Sequence, residues 1–149
     1  MRTNGQRITG WICAGLVGAG LSWNVVVGAA DTGTLMVRVK LLASHKGQVR
    51  VAVYKTAEEW LKTPAYSTLL EAGEGAIEWR TPAMPYGIYA VAIYQDENRN
   101  GEHDHNALGV PKEPYGFSNN ARGRFGPAKF KDAQFTLAAP TMELEINVK

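Results

Sequence analysis

The sequence from residue 31 to residue 149 predicts an all-β fold, a two-sheet antiparallel β-sandwich of the immunoglobulin-like or prealbumin-like type. Apolar and polar residues alternate with a period of two in several segments. Gly, Pro, Asn and Asp separate these segments, as turns require. Several short alternating strands with turn signals between them are typical of a sandwich.

The strands are predicted in chain order from these patterns. The alternating segments 35–41 and 49–53 are expected to form a hairpin through a turn at 45–47. Segment 87–95 is apolar on both faces, which predicts a central strand covered on two sides. Shorter strands are expected at 76–80 and 133–137. The last strand, 141–148, has the clearest alternation: Met142, Leu144, Ile146 and Val148 face inward.

Two further features interrupt the strand pattern. Thr56 and Glu59 have the spacing of a capping box, which predicts one short helix anchored by Trp60 and Leu61. A long loop, rich in Gly, Pro, Asn and charge, is expected between Gln95 and about residue 133. Ordered loops longer than about 12–15 residues are usually functional.

The first thirty residues predict a signal peptide. Arg2 and Arg7 precede an uncharged apolar stretch that ends in small residues before Asp31. An uncleaved membrane anchor is the alternative, because stretches of roughly 17–25 apolar residues can span a bilayer. We expect cleavage after Ala30, one mature domain over 31–149 without a membrane span, and a periplasmic or extracellular location. Cys13, the only cysteine, would be lost with the signal.

The charge of the mature domain argues against nucleic acid as a partner. The chain has 16 basic and 14 acidic residues, and without Arg2 and Arg7 14 basic residues remain. A formally neutral domain lacks the excess positive charge that binds phosphates. The mature sequence also contains no cysteine nucleophile, Gly-x-Ser-x-Gly, His-Glu-x-x-His or phosphate-binding loop, so it predicts no enzyme.

The start of the long loop resembles a calcium-binding loop. Oxygen-bearing side chains at loop positions 1, 3, 5 and 9 and a glycine at position 6 match most of an EF-hand loop. Ala107 occupies position 12, where that loop has a bidentate glutamate, so the remaining ligand must come from Asn106, Glu113 or water. The alternative is an Asx-rich turn without an ion. The predicted Ca²⁺ ligands are Asp96, Asn98, Asn100, Asp104 and, through its backbone carbonyl, Glu102.

Two histidines, His103 and His105, flank Asp104. A His-x-His pair on a strand can hold zinc or copper. No third ligand is evident, so solvated loop histidines are the favoured interpretation.

Several runs of residues together resemble the bacterial DUF2141 family. They are 47–54, 87–92, 94–98 with 100–101, 108–111, 113–120, and 130 with 132–133. The resemblance covers nearly the whole domain and implies an exported β-sandwich without an established activity. The D-x-N-x-N-G-x-x-D element of the family corresponds to Asp96, Asn98, Asn100, Gly101 and Asp104. His103 stands where an apolar residue is more usual.

The expected function is a binding or structural module of the envelope, whose partner is an envelope protein or a glycan. Calcium would order the long loop, and the loop would present Tyr115, Phe117, Asn119, Asn120, Arg122 and Arg124. One alternative is a carbohydrate-binding module with Trp60, Tyr66 or Trp79 as platforms. The other is a hydrolase using carboxylates such as Glu71, Glu74 and Glu78.

Overall fold

A computed structural model of the protein describes residues 31–149, so the predicted signal peptide and its cleavage site after Ala30 lie outside the described residues. Strands are the dominant regular structure of the described chain and form two sheets, which confirms the predicted all-β sandwich. In chain order the elements are β1 (Thr32–Leu41), β2 (Gln48–Tyr54), β3 (Tyr66–Glu71), β4 (Ile77–Arg80), β5 (Met84–Pro85), β6 (Gly87–Asp96), β7 (Tyr115–Phe117), a 3₁₀ turn (Ser118–Asn120), α1 (Phe130–Ala133), β8 (Phe135–Leu137) and β9 (Thr141–Val148).

The first sheet is organised around β1. On one side β1 pairs in parallel with β9, from Thr34 opposite Thr141 to Leu41 opposite Val148. It also pairs antiparallel with β4 and, nearer its start, with β5. The first and last strands of the domain are therefore neighbours, with β1 in the centre of this sheet and β9 at its edge.

The second sheet has the order β3-β2-β6-β7, and β8 also pairs with β6. All of its pairings are antiparallel. The predicted central strand is confirmed, because β6 lies between β2 and the two short strands β7 and β8. It is buried along most of its length.

The main core lies between the two sheets. The alternating side chains of each long strand supply it, as their period of two requires. Val37 and Ile146 of the first sheet and Val51 and Val91 of the second are all fully buried. A second, smaller cluster covers the outer face of the second sheet and includes Ala92, Phe117 and Ala133. The second sheet is thus packed on both faces.

The predicted hairpin between segments 35–41 and 49–53 is wrong. β1 and β2 lie in different sheets, and the connection 42–47 crosses from one sheet to the other. Both strands point their valines into the same core. Alternation therefore identified the buried face of each strand correctly, but a shared core does not require that two strands pair.

The predicted short helix is also wrong. Residues 56–63 form turns, although the expected capping bond is present: the N–H of Glu59 donates to Thr56 Oγ1 at 3.3 Å. The N–H groups of Lys62 and Thr63 both donate to the carbonyl of Glu59. Leu61 has a φ of 59°, which an α-helix cannot continue through. Trp60 still docks onto the second sheet, between Tyr54 and Phe117.

Candidate functional site

A groove lies on the outer face of the second sheet. Its volume is about 880 Å³, within the size range of small-molecule sites. Side chains of β2, β6 and β7 form its floor. Its walls come from three connections: the turn around 61–64, the segment 103–111 and the segment 123–127.

The floor contains a polar pair in the middle of an otherwise apolar surface. Arg50 of β2 and Tyr94 of β6 are opposite each other across the strands, and the guanidinium lies 5.8 Å from the centre of the Tyr94 ring. Nε of Arg50 is buried and has no hydrogen-bond partner. Burial raises the pKa of the Tyr94 phenol, although the neighbouring Arg50 opposes the shift. The phenol is therefore a neutral hydroxyl at neutral pH.

The walls of the groove carry large apolar side chains that are exposed to solvent. Leu108 is 88% exposed and Val110 53% exposed on one wall, and Phe125 is 93% exposed on another. Exposed apolar side chains that share one concave surface are a typical mark of a binding site.

All the charged side chains that line the groove are basic: Arg50, Lys62 and Arg124. No aspartate or glutamate from residues 31–149 is among the lining residues. The groove therefore has a positive electrostatic character although the mature domain is formally neutral.

The acidic loop, residues 96–104, follows β6 at the edge of this groove. Asp96 is buried and accepts the N–H groups of Asn100 and Gly101 at 3.1 and 2.8 Å. The loop curls tightly because Arg99 and Gly101 have positive φ angles of 62° and 84°. The fold thus brings the two ends of the loop together, as a calcium-type loop requires.

Three predicted ligands converge inside the loop. The side-chain amides of Asn98 and Asn100 donate to the two oxygens of the Asp104 carboxylate at 2.7 and 3.0 Å. The Oδ1 atoms of the two asparagines accept the N–H groups of Asn100 and Glu102. The backbone N–H of Glu102, rather than its side chain, takes part in this cluster.

Glu113 closes the loop from outside. Its buried carboxylate accepts the N–H of Glu97 through Oε1 and the N–H of Asp104 through Oε2, both at 2.9 Å. Glu113 therefore fastens the two ends of the acidic loop to each other. Asn106, the other proposed source of a ligand, uses its side-chain oxygen to accept the N–H groups of Leu108 and Val110.

The carboxylates do not form a compact cluster by themselves. Over residues 31–149, no group of three or more His, Cys, Asp or Glu side chains is arranged to hold a metal ion. A calcium ion in this loop would take most of its ligands from asparagine amides, backbone carbonyls and water. Neutral ligands give weak rather than tight binding.

The acidic loop and the groove are in direct contact. His103 stacks on the ring of Tyr94 with centroids 5.1 Å apart, and its Nε2 lies 3.1 Å from the carbonyl of Glu113. The hydroxyl of Tyr94 donates to the carbonyl of Gly101 at 3.2 Å. The position where an apolar residue is more usual is thus filled by an imidazole that packs on the groove floor.

The structure changes the expected contact surface of residues 115–124. Phe117 is buried, and Asn119 and Asn120 use their side chains internally, on the carbonyl of Gln134 and the N–H of Asn147. Phe117 is therefore not presented to a partner, whereas Asn119 and Asn120 remain exposed to solvent beside these internal bonds. Arg122 lies 5.6 Å from the ring of Tyr115, which lines the groove with Arg124.

The aromatic side chains proposed as sugar platforms are packed against the sandwich. Trp60 contacts three aromatic rings and donates its indole N–H to the carbonyl of Ala128 at 2.8 Å. Tyr66 and Trp79 pack against the main core. All three rings are partly buried against the sandwich.

The groove itself was not predicted from the sequence. Alternation with Val49 and Val51 did indicate that Arg50 points away from the core. No sequence signal showed that the segments around Leu108 and Phe125 would rise on either side of Arg50.

Fold and site together define a class of small β-sandwich domains with a walled groove on one sheet. A family model described as DUF2141, an uncharacterized protein conserved in bacteria, matches residues 37–145. The chain belongs to this family. No curated protein and no solved structure matches it. Within the described residues, no helix is long and apolar enough to cross a membrane.

Proposed function

We propose that this protein is a ligand-binding module of the bacterial envelope, with the groove on the second sheet as its binding site. The observation that carries the proposal is the concave surface itself, in which apolar side chains surround Arg50, a half-buried arginine whose Nε is buried. Binding sites are commonly held on loops that a rigid sheet positions. Rings packed into the sandwich offer no equivalent platform for sugars, so the groove is favoured over the carbohydrate-binding alternative.

We further propose that calcium stabilises the acidic loop, which forms one side of this groove. Asp104 and the amides of Asn98 and Asn100 already meet at one point. An ion at that point would require both amides to turn their carbonyl oxygens inward. Calcium would then fix His103, since that residue directly precedes Asp104 and packs on Tyr94.

Calcium is expected to bind weakly and to raise the melting temperature. With two charged ligands, the dissociation constant should be on the order of 10⁻⁴–10⁻³ M, as in extracellular modules. At ten times that concentration, linkage adds about 1.4 kcal/mol, which corresponds to roughly 3–8 °C. Differential scanning calorimetry in calcium and in chelator measures the shift.

The matched variants are Asp104→Asn, which removes a proposed ligand charge, and Asp132→Asn, which removes an acid outside the loop. Asp104→Asn should lose the calcium response, and Asp132→Asn should keep it. Magnesium should replace calcium poorly because it demands a tighter octahedral shell. Absence of any shift up to about 10 mM calcium would reduce the loop to an Asx turn.

Export is part of the same proposal, since the envelope location depends on the predicted signal peptide. Mass spectrometry of the protein from its native host should find an N-terminus at Asp31, directly after Ala30. Intact Met1 in the membrane fraction would instead support the anchor.

A further inference from the structure

We infer that the groove binds a small amphipathic organic anion, with its acidic group on Arg50 and its apolar body between Leu108, Val110 and Phe125. The inference rests on the proposed binding function and names the ligand class for that site. It follows from three independent properties of the groove.

The first property is the unsatisfied state of Arg50. Arg38 is bound by Glu78 and Glu143 at 2.7 Å each, and Arg99 is bound by Glu71 at 2.7 Å. Arg50 has no such carboxylate partner among the described residues, and its Nε is buried without a hydrogen bond. Burying an unpaired N–H is unfavourable. Arg50 is only half-buried and lines the groove, so a carboxylate or sulfonate of a ligand would pair with the side of the guanidinium that faces the groove, while Nε stays shielded.

The second property is the sign of the surrounding charge. Lys62 and Arg124 line the same groove as Arg50, and none of the described lining residues is acidic. A cleft lined by one sign of charge concentrates ligands of the opposite sign. A cation or a neutral sugar would gain nothing from this field.

The third property is the apolar rim. Leu108 and Phe125 are almost fully exposed on separate walls of the groove. An aliphatic or aromatic body between them would cover apolar surface that water now contacts, which is favourable. The recess also selects a free molecule rather than a membrane, because headgroups in a bilayer plane do not reach an arginine on the sheet beneath two loops.

The test compares two probes that share their rings and differ in charge. Anilinonaphthalene sulfonate is an anionic probe, and N-phenyl-1-naphthylamine is its neutral analogue. Both should become fluorescent in the groove of the purified protein, and the anion should bind with one saturable site. Arg50→Gln should lower the affinity for the anionic probe about tenfold or more, as expected for loss of a hydrogen bond to a charged group. The affinity for the neutral probe should change less than about twofold. Phe125→Ala should lower the affinity for both probes.

Matched controls separate this result from a folding defect. Arg38→Gln changes an arginine on the outer face of the other sheet and should leave both affinities unchanged. Arg50→Lys keeps the positive charge but removes the paired N–H donors of the guanidinium. Its affinity for the anionic probe should lie between those of wild type and Arg50→Gln. Decanoate should displace the anionic probe at concentrations where decanol does not. Melting temperatures of all variants show whether each is folded.

Several outcomes would overturn the inference. They are binding that does not saturate, an equal loss of affinity for both probes in Arg50→Gln, equal displacement by decanoate and decanol, or co-sedimentation with anionic vesicles that depends on Arg50.

The titrations are run in calcium and in chelator. If charge selectivity at Arg50 persists while calcium has no effect on stability, the calcium proposal fails and the ligand site stands. If calcium stabilises the protein but neither probe binds, the ligand site fails alone.

Discussion

Replacing Ile93 by alanine is expected to lower the free energy of unfolding by about 2–5 kcal/mol. The side chain points from β6 into the core between the two sheets and is only 2% exposed. Alanine would remove buried methyl groups and leave a cavity that two well-paired sheets cannot easily close. Urea unfolding monitored by circular dichroism measures the loss as a lower midpoint at constant slope.

Ile88→Ala is the matched control, because it is the same substitution in the same strand. Ile88 is half exposed, so its loss should cost about 1 kcal/mol or less. Equal losses for the two variants would mean that the buried face of β6 has been assigned wrongly.

Glu113→Ala is expected to produce the second large loss of stability. The variant leaves the N–H groups of Glu97 and Asp104 without acceptors. Both hydrogen bonds are partly buried, so each lost acceptor should cost near the lower end of the roughly 1–3 kcal/mol of an unsatisfied buried donor. Chemical unfolding measures the total, and hydrogen exchange should show faster exchange at these two amides than in wild type.

Glu58→Ala serves as the control for Glu113→Ala, because Glu58 is exposed in the turn after β2. Its replacement should change stability by no more than about 0.5 kcal/mol. If hydrogen exchange at the amides of residues 97 and 104 were unchanged in Glu113→Ala, the carboxylate of Glu113 would not hold the two ends of the acidic loop together.

The sequence predicted the long strands because alternation is a property of each strand alone. β1, β2 and β9 were found in this way, and the doubly apolar β6 was recognised as central. β3 was missed because its exposure alternates but its residue types do not: Thr68 lies on the partly buried face and Leu69 on the exposed one. β5 and β7 have two and three residues, which is too short for a period of two to be visible. The sequence could not predict which strands pair, because alternation identifies the buried face of a strand and not the neighbouring strand.

The site was predictable only in part, for a related reason. Asp96, Asn98, Asn100 and Asp104 are close in the chain, so their convergence follows from local turn chemistry. Glu113 was named as a source of ligand oxygen, but its role in fastening the loop depends on where β7 begins. The groove joins residues from distant segments, such as Arg50, Leu108 and Phe125. The proximity of residues from such distant segments depends on the tertiary fold.

The parallel pairing of β1 with β9 has a consequence for how the chain folds. Every partner of β1 in β9 lies at the far end of the domain, since residue 34 pairs with residue 141 and residue 41 with residue 148. Contacts between such distant residues make folding slow, because a large loop must close before they form. The first sheet therefore cannot be completed until the last residues have been synthesised. Under the export proposed above, a domain that cannot complete its first sheet before its C-terminus leaves the ribosome would have more time to pass through a membrane channel before it folds.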